Sequence, residues 1–268
     1  QQVRQQREIG SATVYLGVVE VTRQVVGYRR KQQYSEAVLS EHDLTMPPQT
    51  FRTIAVWWTV PEPVCRRVEQ ACDDILDGLH AMEHAAIGLL PLFAQCDRAD
   101  IGGLSIGAHP DTGAATIFVY DGVPGGVGIA QVGYEQAEAW WEQTGRLLSD
   151  CPCLEGCPAC IQSPKCGNGN QHLSKIGAAT LAALLSGKSP PARDLRRSSA
   201  GGAATQTSMI EELRGRLARA KAEPAGVHRT ALLVALRYRI AVERDGALDA
   251  AGKAALAAIQ AEADKLMK

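Results

Sequence analysis

The chain has 268 residues, 46% of them hydrophobic and 21% charged, with a formal net charge of −1. A chain of that length and composition can bury a core and form one or more domains, and it is not a disordered polyelectrolyte. No apolar run reaches the roughly 20 residues that cross a bilayer, and the opening QQVRQQREIGS lacks the apolar stretch of a secretory signal, so the expectation is a cytoplasmic protein with no membrane partner.

Residues 1–60 predict a β-rich segment. ATVYLGVVEV and TRQVVGYRRK are rich in Val and Tyr with glycine breaks, and QTFRTIAVWWTV follows the turn at Pro47 and Pro48. A small sheet or barrel accommodates these runs. Trp57 and Trp58 are adjacent in a strand and so face opposite ways, one of them into the core. An exposed indole at Trp58 beside Arg29, Arg30 and Lys31 makes a candidate platform for single-stranded DNA, with bases stacked on the ring and cations on the phosphates. Burial at a core edge is the plainer alternative.

Residues 61–187 predict an α+β domain. From Pro61 the apolar period lengthens, with Val64, Val68, Cys72, Ile75, Leu79, Met82, Ala86 and Leu90 forming the stripe of one long helix that Pro91 kinks or ends. On it, His80, Glu83 and His84 fit the pattern H-x-x-E-H, in which two histidines one turn apart hold zinc and the glutamate serves as base of a metalloprotease. Packing at a helix–domain junction is the preferred reading, and the protease is the alternative. GGLSIGA and AATIFVYD flank HPDTG and read as a hairpin. The loop DGVPGGVG, from Asp121 to Gly128, precedes the helical IAQVGYEQAEAWWEQTGRLL, on which Trp140 and Trp141 are expected to be buried. Its amides could cradle a phosphate, or its glycines could allow close packing of strand and helix. A short Ala/Leu-rich helix at about 174–185 closes the domain.

Residues 188–207 have the composition of a linker, and residues 208–268 are expected to form a helical bundle or hairpin from three apolar-periodic stretches. Charge is uneven: residues 61–150 carry 4 basic and 14 acidic side chains, residues 188–245 carry 12 and 6. The basic helical residues Arg214, Arg216, Arg219, Lys221, Arg229, Arg237, Arg239 and Arg244 could line a DNA channel or make a solvated face.

Five of the eight cysteines fall within CPCLEGCPACIQSPKCGNGN, residues 151–170. In an intracellular chain, five close thiols suit a metal better than disulfides. Cys157 and Cys160 sit on a Gly/Pro turn that can aim two sulfurs at one ion, and Cys151 and Cys153, two residues apart in an extended segment, point the same way. These four are the expected zinc ligands, with Cys166 in reserve and His172 a weaker substitute. Four thiolates leave no open position, so the zinc is structural. An iron–sulfur cluster and a redox pair at Cys157 and Cys160 are the competing readings.

The runs EHAAIGLLPLFAQCDRADIGGLS, HPDTGAATIFVYDGVPGGVGIAQVGYE and CPCLEGCPACIQSPKCGNGNQHLSKIGA resemble the zinc-binding C-terminal domain of the MrfA-like DEAD/DEAH-box superfamily 2 DNA helicases. The match covers about residues 12–185, and the four-cysteine motif falls on Cys151, Cys153, Cys157 and Cys160. The resemblance implies an accessory domain of an ATP-dependent 3'–5' helicase of DNA repair, partnered by RecA-like motor domains and single-stranded DNA. The motor itself is not in this sequence: there is no DEAD or DEAH box, and the GKS at Gly187 to Ser189 lacks the upstream glycine of a phosphate-binding loop and runs into Pro190 and Pro191. ATP and magnesium are therefore expected only through a motor outside it. The start at Gln1 fits a piece of a longer protein. A stand-alone zinc scaffold for protein partners is the alternative function. The expected fold class is α+β, with an N-terminal small sheet or barrel, a central four-cysteine zinc domain and a C-terminal helical segment.

Overall fold

The computed structural model describes residues 1–33, 38–72, 74–190, 206–222 and 249–267, together with Leu233, Leu236 and Ile240. Its strands are β1 (Gln2–Ile9), β2 (Ala12–Arg23), β3 (Gly27–Lys31), β4 (Val38–Asp43), β5 (Gln49–Val60), β6 (Ile101–Ile106) and β7 (Ala115–Asp121). Five of them form one antiparallel sheet in the order β1-β2-β5-β7-β6, and β3 pairs with β4 in a separate ribbon. The expected hairpin is present as β6 and β7, but it extends the N-terminal sheet through the pairing of β5 with β7. Residues 1–60 and 61–187 thus share one sheet and one core.

The period of two sorts the central strands cleanly. Ala12, Val14 and Leu16 of β2, Val56, Trp58 and Val60 of β5, and Ala115, Ile117 and Val119 of β7 face the helices. On the opposite face Tyr15, Trp57 and Phe118, directly paired across three strands, stack with ring centroids 5.4 and 5.7 Å apart. Both tryptophans of β5 are therefore buried, Trp58 at 0% exposure between Trp140 and Trp141.

The single long helix expected from Pro61 is two: α1 (Glu62–Ala71) and α2 (Ile75–Ala94). Cys72 turns extended, and the buried Asp74 caps α2 by accepting from the Leu76 amide at 2.9 Å. Pro91 lies inside α2 rather than ending it. The helix stops at Gln95, which takes the left-handed conformation at φ 50°. Next come α3 (Ile129–Glu135), α4 (Ala137–Asp150) and α5 (Lys175–Leu185), with α2, α4 and α5 packed together over the sheet.

The lysine of the GKS decoy belongs to the end of α5. The Gly187 amide bonds to Leu184 and the Lys188 amide to Ala183, a left-handed glycine stop, while Lys188 Nζ reaches Glu142. Most of the expected linker lies outside the described residues. Beyond it, α6 (Gln206–Ala222) and α7 (Ala250–Leu266) enclose a small core with Leu233, Leu236 and Ile240, against which Leu76 of α2 packs. Among the described residues no helix is long and apolar enough to cross a membrane.

Candidate metal centre

The loop between α4 and α5 brings Cys151, Cys153, Cys157 and Cys160 together. Cys151 follows the last turn of α4, where its amide still bonds to the Leu147 carbonyl, and then takes an extended conformation that leads into Cys153. Gly156, at φ 120°, reverses the chain. The next four residues form a tight turn: the amides of Cys160, Ile161 and Gln162 all point at the Cys157 carbonyl, and the Cys157 amide donates to Cys160 Sγ at 3.3 Å.

The sulfur separations are 3.5 Å for Cys151–Cys153, 3.6 Å for Cys151–Cys157, 3.5 Å for Cys153–Cys160 and 3.8 Å for Cys157–Cys160. Four thiolates placed tetrahedrally at a Zn–S distance of about 2.3 Å lie about 3.8 Å apart, whereas a disulfide would need about 2.05 Å. The spacing fits a common ion, and all eight cysteines are free of disulfides. Lys175, the first residue of α5, donates from Nζ to the carbonyls of Cys151 at 2.7 Å and Cys153 at 2.5 Å, so it fixes the backbone behind two of the sulfurs. No local sequence signal marks that lysine, because its partners lie on the far side of the loop.

The surroundings also shift the thiols of Cys153 and Cys160, in opposite directions. Burial alone would raise the Cys153 thiol, but hydrogen bonds with the sulfurs of Cys160, Cys151 and Cys157 and with Lys175 outweigh it and lower Cys153 to about 7. Burial pushes its neighbour Cys160 up to about 12. A thiol lowered toward neutrality among donor sulfurs suits capture of a divalent cation, whose binding displaces the remaining thiol protons to solvent.

Cys166, the fifth candidate held in reserve for the four places, is not in this group. It meets α2 instead: its Sγ lies 3.7 Å from His80 Nε2, and the His80 and His84 rings are in contact at a centroid distance of 4.4 Å. Glu83, the base in the alternative protease reading, is buried against Ser105 and Gly103 of β6 and does not join the histidines. Desolvation pushes its carboxyl up to about 7, with hydrogen bonds to Ser105 pulling the other way. The H-x-x-E-H arrangement of a protease is therefore not formed, because the three side chains do not converge. His172 lies by Asp77, with Nδ1 4.0 Å from the carboxylate.

The candidate phosphate loop is already filled by its own anion. Asp121, fully buried at the end of β7, accepts from the amides of Val127 (2.5 Å), Gly128 (2.8 Å), Ile129 (3.3 Å) and Ala130 (2.7 Å). These are the amides a phosphate would have used.

The candidate DNA platform does not assemble around Trp58, whose ring has no exposed face. Arg29, Arg30 and Lys31 are exposed on the separate ribbon, where Arg29 pairs with Glu41 at 2.9 Å and Tyr28 stacks on His42. In the basic C-terminal segment, Arg216 and Arg219 both bind the buried carboxylate of Asp74, tying α6 to the start of α2. Arg229, Arg237, Arg239 and Arg244 lie outside the described residues.

Comparison with known proteins places the metal loop in context. The family model of the MrfA Zn-binding domain matches residues 82–161, which run from α2 through the cysteine turn. The uncharacterized protein MJ1572.1 of Methanocaldococcus jannaschii is 41% identical over 100 residues, covering 36% of this chain and 89% of that protein. The ATP-dependent helicase YprA of Bacillus subtilis is 26% identical over 156 residues, covering 58% of this chain and 20% of the helicase. A crystal structure of the helicase MrfA bound to DNA superposes with a TM-score of 0.44 at 22% identity, covering 69% of this chain and 24% of that one. The chain thus spans about a fifth of the length of the helicase relative YprA.

Proposed function

The chain belongs to the MrfA Zn-binding domain family, and from that premise we propose that Cys151, Cys153, Cys157 and Cys160 hold one zinc ion as the structural centre of an accessory module in an ATP-dependent DNA helicase. The observation that carries this reading is the set of four sulfurs at separations of 3.5 to 3.8 Å within a loop that has no disulfide. The donor set is all sulfur and complete at four, which suits zinc and leaves no position for substrate. Bound zinc would supply cross-linking of the loop between α4 and α5 and no chemical step.

The protein's own residues do the rest. Lys175 holds the Cys151 and Cys153 carbonyls, the turn after Cys157 aims Cys160 inward, and Ile161 carries the loop into the core beside α2. The loop is thereby anchored to the core that the helices share with the sheet. We assign ATP hydrolysis and strand translocation to RecA-like motor domains outside this sequence, in keeping with the helicase relatives of which it covers a fifth or less. Single-stranded DNA is the proposed polymer, and the exposed Arg29, Arg30 and Lys31 are the proposed phosphate contacts on this module.

The test combines metal analysis with a motor assay. The chain is expected to bind zinc through the four thiolates, and a Cys157→Ser and Cys160→Ser double variant is expected to lose that ion. A helicase formed with the native module is expected to show DNA-stimulated ATPase that the double variant weakens. Retention of the ion at this site in the double variant would refute the ligand assignment. An ATPase indifferent to the module would refute the helicase role.

A further inference from the structure

His80, His84 and Cys166 form a second cluster of metal-binding side chains, separate from the four cysteines. One ligand atom from each lies within 4.8 Å of the others. His80 and His84 stand one turn apart on α2, and Cys166 is delivered by the loop between the cysteine turn and α5. We propose that these three residues bind a second divalent cation of the zinc class, with the fourth coordination position left to an exchangeable ligand.

Three features of the geometry support this. The separation of 3.7 Å between Cys166 Sγ and His80 Nε2 matches the roughly 3.6 Å expected between a sulfur at about 2.3 Å and a nitrogen at about 2.0–2.1 Å on a tetrahedral zinc. Both imidazoles are also oriented as ligands usually are. His84 Nδ1 lies 2.7 Å from the Ile161 carbonyl and His80 Nδ1 lies 3.1 Å from the His172 carbonyl. A carbonyl can only accept, so each Nδ1 carries the proton and each Nε2 presents its lone pair, the arrangement that outer hydrogen bonds impose on metal-bound histidines. Finally, the donor set is balanced. Two neutral imidazoles and one thiolate make a borderline-soft site suited to zinc, and a three-ligand site keeps one position open.

The proton balance is simple. As a thiol, Cys166 donates to Asn168 Oδ1 at 2.6 Å, and binding of the cation releases that proton to solvent. The link has a structural consequence, since it joins the segment around Cys166 to α2 as the first site joins the segment around Cys157 to α4. The two sites adjoin through residues 160 and 161, where Cys160 belongs to one and the Ile161 carbonyl orients a histidine of the other.

Metal stoichiometry of the full chain, saturated with zinc and freed of excess, tests the proposal. Two equivalents are expected for the native chain, falling to one in Cys166→Ser and in His80→Gln. Cobalt is the second probe: at two equivalents the native chain is expected to show a sulfur-to-cobalt band from a single-thiolate site in addition to that of the four-thiolate site, and Cys166→Ser is expected to lose only that addition. A native chain that saturates at one equivalent, with a cobalt spectrum unchanged in Cys166→Ser, would overturn the proposal. The native stoichiometry decides the matter even if either variant fails to fold. Loss of the four-thiolate band with the single-thiolate band retained would count against the first site only.

Discussion

The loops at 121–128 and 151–160 are both built from glycine and proline, and each joins one regular element to the next, yet only the first carries its own counter-charge. In the first, Asp121 turns back into the loop and accepts four backbone amides at the start of α3. The anion is part of the chain, so folding alone completes the loop. In the second, four sulfurs face one another and the chain supplies no cation between them. On the proposed ligand assignment, that loop is complete only when an ion is supplied. The difference teaches that a glycine-rich turn is not evidence of ligand binding until its buried polar groups have been accounted for.

The largest expected effect separates the loops through metal removal. Zinc-finger peptides gain about 10–16 kcal/mol of apparent binding energy from zinc, far more than a short loop gains from packing. Chelation at neutral pH is therefore expected to abolish hydrogen-exchange protection in residues 151–174 while the amides of Val127, Gly128 and Ala130 stay protected. Protection that survives chelation in both loops would break the comparison.

The converse experiment removes the internal anion. Asp121→Ala leaves four amides without their acceptor, each costing about 1–3 kcal/mol if it stays dry. Water entering the space offsets part of this, and a net loss of about 3–5 kcal/mol is expected in urea unfolding. Zinc content should not change. A fall in zinc on Asp121→Ala would show that the two loops are coupled through α4.

Much of this contrast is open to a reader of the sequence, and the division follows the range of the interactions. The clustering of the four sulfurs is legible because Cys151 and Cys153, and Cys157 and Cys160, are brought together by local turns. The core alternation of β5 is legible for the same reason. Asp121 is not, since its role depends on a carboxylate folding back six to nine residues, and the only hint is an acidic residue ending an apolar strand just before the glycines. Cys166 stands out as a spare ligand, but its partner His80 lies 86 residues away and only the packing of the loop on α2 joins them. Edge strand β1 escapes a pattern reading because QVRQQREI is polar and mostly exposed, with no alternation to read. Trp58 looks available beside basic residues because the sequence does not show that Trp140 and Trp141 close over it.

A smaller effect is expected from the glycines that shape each loop. A methyl group at Gly126, where φ is 82°, would approach Ile54 Cγ1 to 2.7 Å, and one at Gly156, where φ is 120°, would overlap Ile161. Each alanine substitution is expected to cost about 1–3 kcal/mol through strain and overpacking. The two should differ in readout. Gly156→Ala moves the turn that aims the sulfurs, so it should weaken zinc affinity as well as stability, whereas Gly126→Ala should lower stability alone. Equal effects on zinc would mean that the metal loop senses the fold as a whole.

The smallest effect on stability is expected at the ribbon of β3 and β4, which contributes to neither loop. Arg30 and Lys31 are exposed, so replacing both with Ala should change unfolding free energy by less than about 0.5 kcal/mol per site and leave zinc binding intact. If the ribbon meets a nucleic-acid backbone as proposed, the same change should reduce the slope of log affinity for single-stranded DNA against log salt by about 0.7 for each phosphate that is no longer neutralised. An unaltered slope would remove Arg30 and Lys31 from the interface. The proposed role of the zinc loop as a brace for a motor would stand, with the DNA assigned to residues outside this ribbon.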